Sequence, residues 1–141
     1  MRICKEFTGK FPVPNDPDGA FVVLRHMPPG EVEDTNEDIR AFEVEFARQA
    51  DGTMEQKIKA NPKIGDKRYL FAERSIKVWD GFLDVEGKPI PCTAEGIRQV
   101  CRELLVEKEP GKPMAFALWI NECRDELARQ AKADRETAEK N

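Results

Sequence analysis

The stretch from Val78 to Gly96, VWDGFLDVEGKPIPCTAEG, constrains the fold more than any other part of this chain. It holds three glycines and two prolines, residues that supply unusual backbone angles or fix them. Asp84 and Gly87 occupy the first and fourth positions of a type I turn. The two prolines rule out a long strand ladder after that turn. The stretch therefore predicts a sharp, hairpin-like elbow over residues 82–91, lying between two helices.

Residues 1–28 predict a β-hairpin. Two apolar arms, Phe11–Pro14 and Ala20–Arg25, flank the polar cluster Asn15–Gly19. Asn, Asp, Pro and Gly favour turns because Gly tolerates a positive φ and Pro fixes a negative one. The prolines in the first arm cannot donate to a ladder, so they predict that this arm lies at a sheet edge.

Apolar residues at three- and four-residue spacing predict about four amphipathic helices after the hairpin. The segments are an acidic helix over 31–60, a helix over 66–80 that includes Trp79, a helix over 93–108 capped by Thr93, and a helix over 113–133 with a frayed tail over 134–141. The acidic helix is expected to be capped at Asp34, Thr35 or Asn36. The fold class expected is α+β, mainly α, in a single domain of residues 1–141.

Composition and charge exclude several classes of function. Charged residues make up 35% of the chain and the formal net charge is −4, whereas a dedicated nucleic-acid-binding protein displays a basic stripe. No apolar run approaches the ~20 residues that cross a bilayer. The four cysteines are far apart and there is one histidine, His26, which together make a poor zinc set. We therefore expect no nucleic-acid partner, no membrane span, and neither metal nor cofactor.

A search for catalytic motifs gives no candidate. His26 has no nucleophile at a motif spacing, so a partly buried strand residue is favoured over a catalytic base. Asp16, Asp18 and Gly19 resemble the start of a calcium loop, but Met27 stands where the bidentate glutamate belongs. The chain is therefore expected not to be an enzyme.

The pattern from Ile76 to Glu95 resembles one found in small proteins from the tail-assembly gene clusters of long-tailed bacteriophages. In those proteins an aliphatic-Trp-x-Gly core precedes an Asp-x-x-Gly turn, an extended Pro/Ile segment and a helix that starts Thr/Ser-x-Glu. The run MPPGE, residues 27–31, which leads from a strand into an acidic helix, is also similar to their tail assembly chaperones.

This resemblance implies a non-enzymatic chaperone in the cytoplasm of the bacterial host. Its client would be the long, apolar, helical tape-measure protein, kept soluble until tail-tube protein polymerises around it. Several phages of this kind extend the chaperone by a −1 ribosomal slip. Residues 139–141 can be encoded GAA AAA AAC, which contains the slippery heptamer A AAA AAC, and the nucleotide sequence of the gene would test this.

A client-binding surface would use a few aromatic anchors. The candidates in this chain are Trp79, Phe82, Phe116 and Trp119. For each of them a place in the core is favoured over a place in an interface, because aromatic stripes at helical spacing usually face inward. Trp119 is the strongest candidate for client contact, since it lies toward the edge of the apolar stripe of its helix.

Two alternative functions stay open. The first is a structural head–tail or tail-completion subunit, which would be retained in purified virions and detected there by mass spectrometry. The second is a small cytosolic enzyme or regulator unrelated to phage, which a bound metal or a pocket lined by titrating groups would support.

Overall fold

The computed structural model describes residues 6–48 and 69–140, and within them the side chains of 6–41 and 69–138. The fold is a mixed α+β arrangement richer in helix than in strand, which confirms the predicted class. The elements in chain order are β1 (Thr8–Pro12), β2 (Phe21–Arg25), α1 (Pro29–Arg48), α2 (Leu70–Ser75), β3 (Ile76–Asp80), α3 (Ala94–Glu103), β4 (Leu105–Glu109), β5 (Lys112–Ala115) and α4 (Phe116–Lys140).

Residue contacts divide the chain into two compact units. The first, called the body, joins residues 1–26 to residues 72–141, and the second, called the excursion, is residues 27–71. The body contains a three-stranded sheet in the order β1-β2-β3 and a two-stranded sheet of β4 and β5. The expectation that residues 1–141 form a single domain stays a prediction.

The N-terminal hairpin is confirmed within residues 1–28. β1 and β2 pair antiparallel, and β1 lies at the edge of the sheet as its prolines predict. The Asp16 carboxylate accepts a hydrogen bond from the Ala20 amide at 2.8 Å, and Gly19 has a φ of 67°. The hydrogen bond and the positive φ stabilise the loop that connects β1 to β2.

The predicted helix over 66–80 is wrong at its C-terminal end. Within the described residues it is helical over Leu70–Ser75, and Ile76–Asp80 is a strand paired antiparallel with β2. Val22 pairs with Trp79 and Leu24 with Ile76, so four residues on β3 lie opposite three on β2. This β-bulge places Ile76 and Trp79 on the same buried face at a three-residue spacing. That spacing imitates the period of a helix.

The elbow over residues 82–91 is present. Ile90 N donates to Phe82 O at 2.8 Å, and Leu83 and Pro89 form an isolated bridge. The Asp84 carboxylate accepts hydrogen bonds from two backbone amides of the turn, Glu86 N and Lys88 N, each at 2.9 Å. The elbow joins a strand, β3, to a helix, α3, whereas the sequence predicted a helix on both sides.

α3 begins as predicted, because the Thr93 hydroxyl accepts a hydrogen bond from Gly96 N at 3.1 Å. It ends at Glu103 and not at 108, since Leu104 adopts an extended conformation with φ −101° and ψ 142°. Residues 105–109 then form β4, which pairs antiparallel with β5 at residues 112–115. The predicted helices over 93–108 and 113–133 therefore lose their adjoining ends to a hairpin, whose turn contains Gly111 at a φ of 79°.

α4 begins at Phe116 and continues to Lys140, so the predicted frayed tail over 134–141 is helical as far as residue 140. Its last turns are rich in Ala, Arg, Glu and Lys and lack Gly and Pro, a composition that favours helix. The buried face predicted for this helix is confirmed by four side chains: Phe116, Ile120, Cys123 and Leu127. Together with Val22 and Leu24 of β2, this face forms much of the core of the body.

The acidic helix predicted over 31–60 is α1, which begins at Pro29 and is described to Arg48; residues 49–60 lie outside the described part. Asp34, Thr35 and Asn36 lie inside it, so the predicted cap is wrong. Proline is favoured in a first helical turn because its missing N–H has no intrahelical acceptor there, and this explains the earlier start. Thr35 is buried, and its hydroxyl donates to Glu31 O at 2.8 Å.

Candidate functional site

The four aromatic residues predicted to contact a client form one connected cluster. The ring centroids of Trp79 and Phe82 lie 4.6 Å apart, and Phe116 meets Phe82 edge to face at 5.6 Å. Trp119 lies 5.7 Å from Phe116. We call these four residues the aromatic cluster; it joins the end of β3, the start of the elbow and the first turn of α4.

The aromatic cluster is part of the core. Its members are between 0% and 7% exposed, and the Trp79 indole N–H donates to Ile90 O at 2.9 Å. Trp119, the strongest candidate for client contact, is 4% exposed. As the body is folded, these rings are not available to a protein bound at its surface, so the core role favoured for them by their spacing is the one observed.

Other apolar side chains of the body do reach solvent, and Val78 on β3 is one of them at 47% exposed. Leu104, Leu105 and Leu118 are 41%, 67% and 56% exposed, and we call them the leucine surface. Phe116 N donates to Leu104 O at 3.2 Å, and Leu105 faces Ala115 across the hairpin. Leu118 lies in the first turn of α4, three residues after Ala115. The three leucines therefore occupy the same end of the β4–β5 hairpin, where it joins both helices.

Sequence reasoning missed this surface because a helix over 93–108 would bury Leu104 and Leu105 in its apolar stripe. The alternation of exposed Leu105, buried Val106 and exposed Glu107 is the period of a strand. The Pro110-Gly111 pair that follows is a strong turn signal. The Pro110-Gly111 pair could have indicated the turn, whereas the outward direction of Leu105 depends on the pairing of β4 with β5.

A side chain from the N-terminal loop holds β4 in place. The Asn15 amide donates to Glu107 O at 2.9 Å, and Asn15 has a φ of 57°, in the left-handed region that Asn tolerates. At the turn, the Glu107 carboxylate accepts a hydrogen bond from Gly111 N. These contacts fix the hairpin from its outer edge and from its tip, so the leucine surface is carried on an ordered element.

The elbow carries two further exposed apolar side chains. Val85 is fully exposed at the tip of the turn, and Leu83 is partly exposed beside it. Both follow Trp79 and Phe82 in sequence and precede Phe116 and Trp119.

The described cysteines behave as small packed groups. Burial raises the pKa of the Cys123 thiol to about 12, and neighbouring Glu122 adds to this. Burial also raises the pKa of Cys92, opposed by a backbone hydrogen bond from Trp79. Both side chains therefore stay protonated at neutral pH.

Other polar candidates serve the fold. His26 is half-buried and its backbone amide donates to Phe7 O at 2.7 Å, while the Asp16 carboxylate is bonded within its own loop. Among residues 6–41 and 69–138, no group of three or more His, Cys, Asp or Glu side chains is arranged to hold a metal ion. In the described part of the chain, no helix combines the length and the apolar character needed to cross a membrane.

Comparisons of this chain with protein-family models, with curated proteins and with solved structures found no match.

Proposed function

We propose that this protein is a non-enzymatic assembly chaperone that binds an apolar, helical client protein through the leucine surface. The observation that carries the proposal is the exposure of Leu104, Leu105 and Leu118, all of which lie in sequence where the β4–β5 hairpin joins α3 and α4. An amphipathic helix presents apolar side chains at i, i+3, i+4 and i+7, which can bury exposed leucines of a partner. The sequence resemblance to phage tail assembly chaperones supports the same kind of client.

The exposed area of the leucine surface limits the binding free energy that one copy of the protein can gain on the client. Burying the exposed part of each leucine contributes about 1 kcal/mol, so three contribute about 3 kcal/mol. Association costs at least about 4 kcal/mol in lost translational and rotational freedom. A single copy would therefore bind weakly, and a useful complex needs several copies along one long client. That requirement suits a tape-measure protein, with tail-tube protein displacing the copies in the cytoplasm of the bacterial host.

The proposal is tested with a fluorescein-labelled helical peptide of about sixty residues, which repeats leucines at i, i+3, i+4 and i+7 and is long enough to bind several copies. We expect its anisotropy to rise with added wild-type protein, and we expect Leu105→Glu and Leu118→Glu each to weaken binding by roughly tenfold, because a carboxylate would be buried against leucine. Both positions are exposed, so the free energy of unfolding should change by less than about 0.5 kcal/mol.

The matched control is Val85→Glu, which places the same charge at an exposed valine outside the leucine surface. It should bind the peptide like the wild type. Equal loss of binding in all three variants would indicate a general effect of charge, and unchanged binding in the two leucine variants would exclude the leucine surface as the contact.

A further inference from the structure

The hydrogen-bonding pattern of β1 shows which of its backbone groups point out of the sheet. His26 N donates to Phe7 O at 2.7 Å, so these two residues form a hydrogen-bonded pair at the start of the β1–β2 ladder. In an antiparallel ladder, hydrogen-bonded pairs alternate with pairs that are not hydrogen-bonded, and the register of β1 on β2 is unbroken. The N–H and C=O groups of Thr8 and Lys10 therefore point away from β2.

This outer edge of β1 is exposed. β1 is the terminal strand of its sheet, and Thr8, Lys10 and Pro12 are all exposed. Within residues 6–48 and 69–140, no backbone group bonds to the outward groups of Thr8 and Lys10. Pro12 also falls at an outward position, where its missing N–H costs no bond to β2. The edge therefore has free donors and acceptors over the residues that precede Pro12.

The side chains along this edge are complementary to a second copy of themselves. Glu6, Thr8 and Lys10 alternate with residues of the opposite face, and the Phe7–His26 bond extends the ladder to the residue between the first two. If two antiparallel copies pair with Thr8 opposite Thr8, each Lys10 lies opposite Glu6 of the other copy. Threonine pairs and opposite charges stabilise such a ladder, and like charges destabilise it.

The charged side chains of this edge make only exposed contacts within one copy. Lys10 Nζ lies 4.1 Å from the centroid of the Phe21 ring, and Lys77 Nζ donates to the Glu6 carboxylate at 3.2 Å. The Glu6 side chain is 46% exposed. Exposed ion pairs contribute little to stability, so Glu6 can accept a second ammonium group without loss to the fold.

We propose that β1 is a dimer interface, at which the outer edges of two copies pair antiparallel with Thr8 opposite Thr8. The two three-stranded sheets then form one sheet of six strands, in which the outward groups of Thr8 and Lys10 are hydrogen-bonded. Lysine and proline on an edge strand usually discourage the addition of another strand. Here Lys10 favours a strand that places a carboxylate opposite it, and a second copy meets that condition twice.

Sedimentation velocity on the full-length protein at increasing concentration tests the proposal. We expect a reversible monomer–dimer equilibrium. Lys10→Glu places like charges opposite each other at both ends of the interface and should weaken dimerisation by roughly tenfold or more. Adding Glu6→Lys exchanges the two charges and returns the formal net charge to −4, so this double variant should dimerise again. Failure of the double variant to recover would overturn the proposed register.

The matched control is Lys112→Glu, which makes the same change of charge at an exposed lysine of β5. It should dimerise within about twofold of the wild type, because it leaves the β1 edge unchanged. An equal loss in Lys112→Glu and Lys10→Glu would show general charge repulsion and overturn the proposal.

Amide hydrogen exchange measured by NMR locates the interface. The amides of Thr8 and Lys10 should exchange more slowly as the wild-type concentration rises, and they should not do so in Lys10→Glu. A protein that stays monomeric up to about 1 mM would overturn the proposal, as would a dimer without protection of these two amides. Loss of the dimer in Leu105→Glu but not in Lys10→Glu would place the contact at the leucine surface instead.

Discussion

At the scale of single residues, burial decides what each candidate side chain does. Tryptophan is a residue type that often anchors interfaces, yet both tryptophans pack inside the body. Trp79 contacts the Phe82 ring and donates to Ile90 O, and Trp119 contacts the Phe116 ring. The side chains of Leu105 and Leu118 have no hydrogen-bonding group, and both are nevertheless exposed to solvent. Because residue type is the same in a core and in an interface, only the direction of the side chain separates the two roles.

Burial of the Cys123 thiol also predicts how stability depends on pH. Its pKa is about 12 in the folded protein, against an ordinary value of 9.0. Below pH 9 both states keep the proton. Between pH 9 and 12 the unfolded chain loses it while the folded chain retains it, so the free energy of unfolding should fall across this range.

Urea unfolding at pH 8 and at pH 10.5 measures this fall, with Cys123→Ala as the control. The variant starts from a lower stability, because it leaves a cavity, but its decrease with pH should be smaller than that of the wild type. Equal decreases in the two proteins would mean that Cys123 does not contribute.

At the scale of elements, the sequence predicted correctly those features that depend on residues close together in the chain. The Asp84–Gly87 turn, the Thr93 cap and the buried face of α4 depend on neighbouring residues, and all three are observed. β3 was misread because its bulge depends on pairing with β2, which is distant in sequence. The leucine surface was missed for the same reason, since Leu105 points outward only once β4 has paired with β5.

The start of α3 offers a sharp element-scale test at Gly96. A Cβ atom built there would lie 2.1 Å from Pro91 O, far inside normal contact. Gly96→Ala should therefore displace the helix start from the elbow and lower the free energy of unfolding by about 1–3 kcal/mol. Urea unfolding monitored by circular dichroism measures the change.

Gly30→Ala in α1 is the matched control, because nothing lies within 4 Å of a Cβ at that position. It should leave stability unchanged or raise it by up to about 1 kcal/mol. Equal stabilities for the two variants would show that the elbow tolerates a shift of α3.

At the scale of the whole molecule, the Glu73–Arg98 ion pair connects α2, at the start of the second segment of the body, to the core helix α3. Arg98→Met would leave the Glu73 carboxylate shielded and without this partner, which should lower the free energy of unfolding by about 1–3 kcal/mol. Urea unfolding measures this loss. In the double variant with Glu73→Met, part of it should return, because no shielded charge remains. Losses that simply add would mean that the two side chains are not coupled.

The insertion of residues 27–71 between β2 and β3 also bears on how fast the protein folds. Closing a chain segment of that length costs about 2 kcal/mol more in entropy than closing a tight turn. During synthesis on the ribosome, the β1–β2 hairpin emerges before β3 and α4. Val22 and Leu24 therefore stay exposed to solvent until those two elements have been synthesised. The final collapse of the sheet onto its helices is therefore expected to be the slow step.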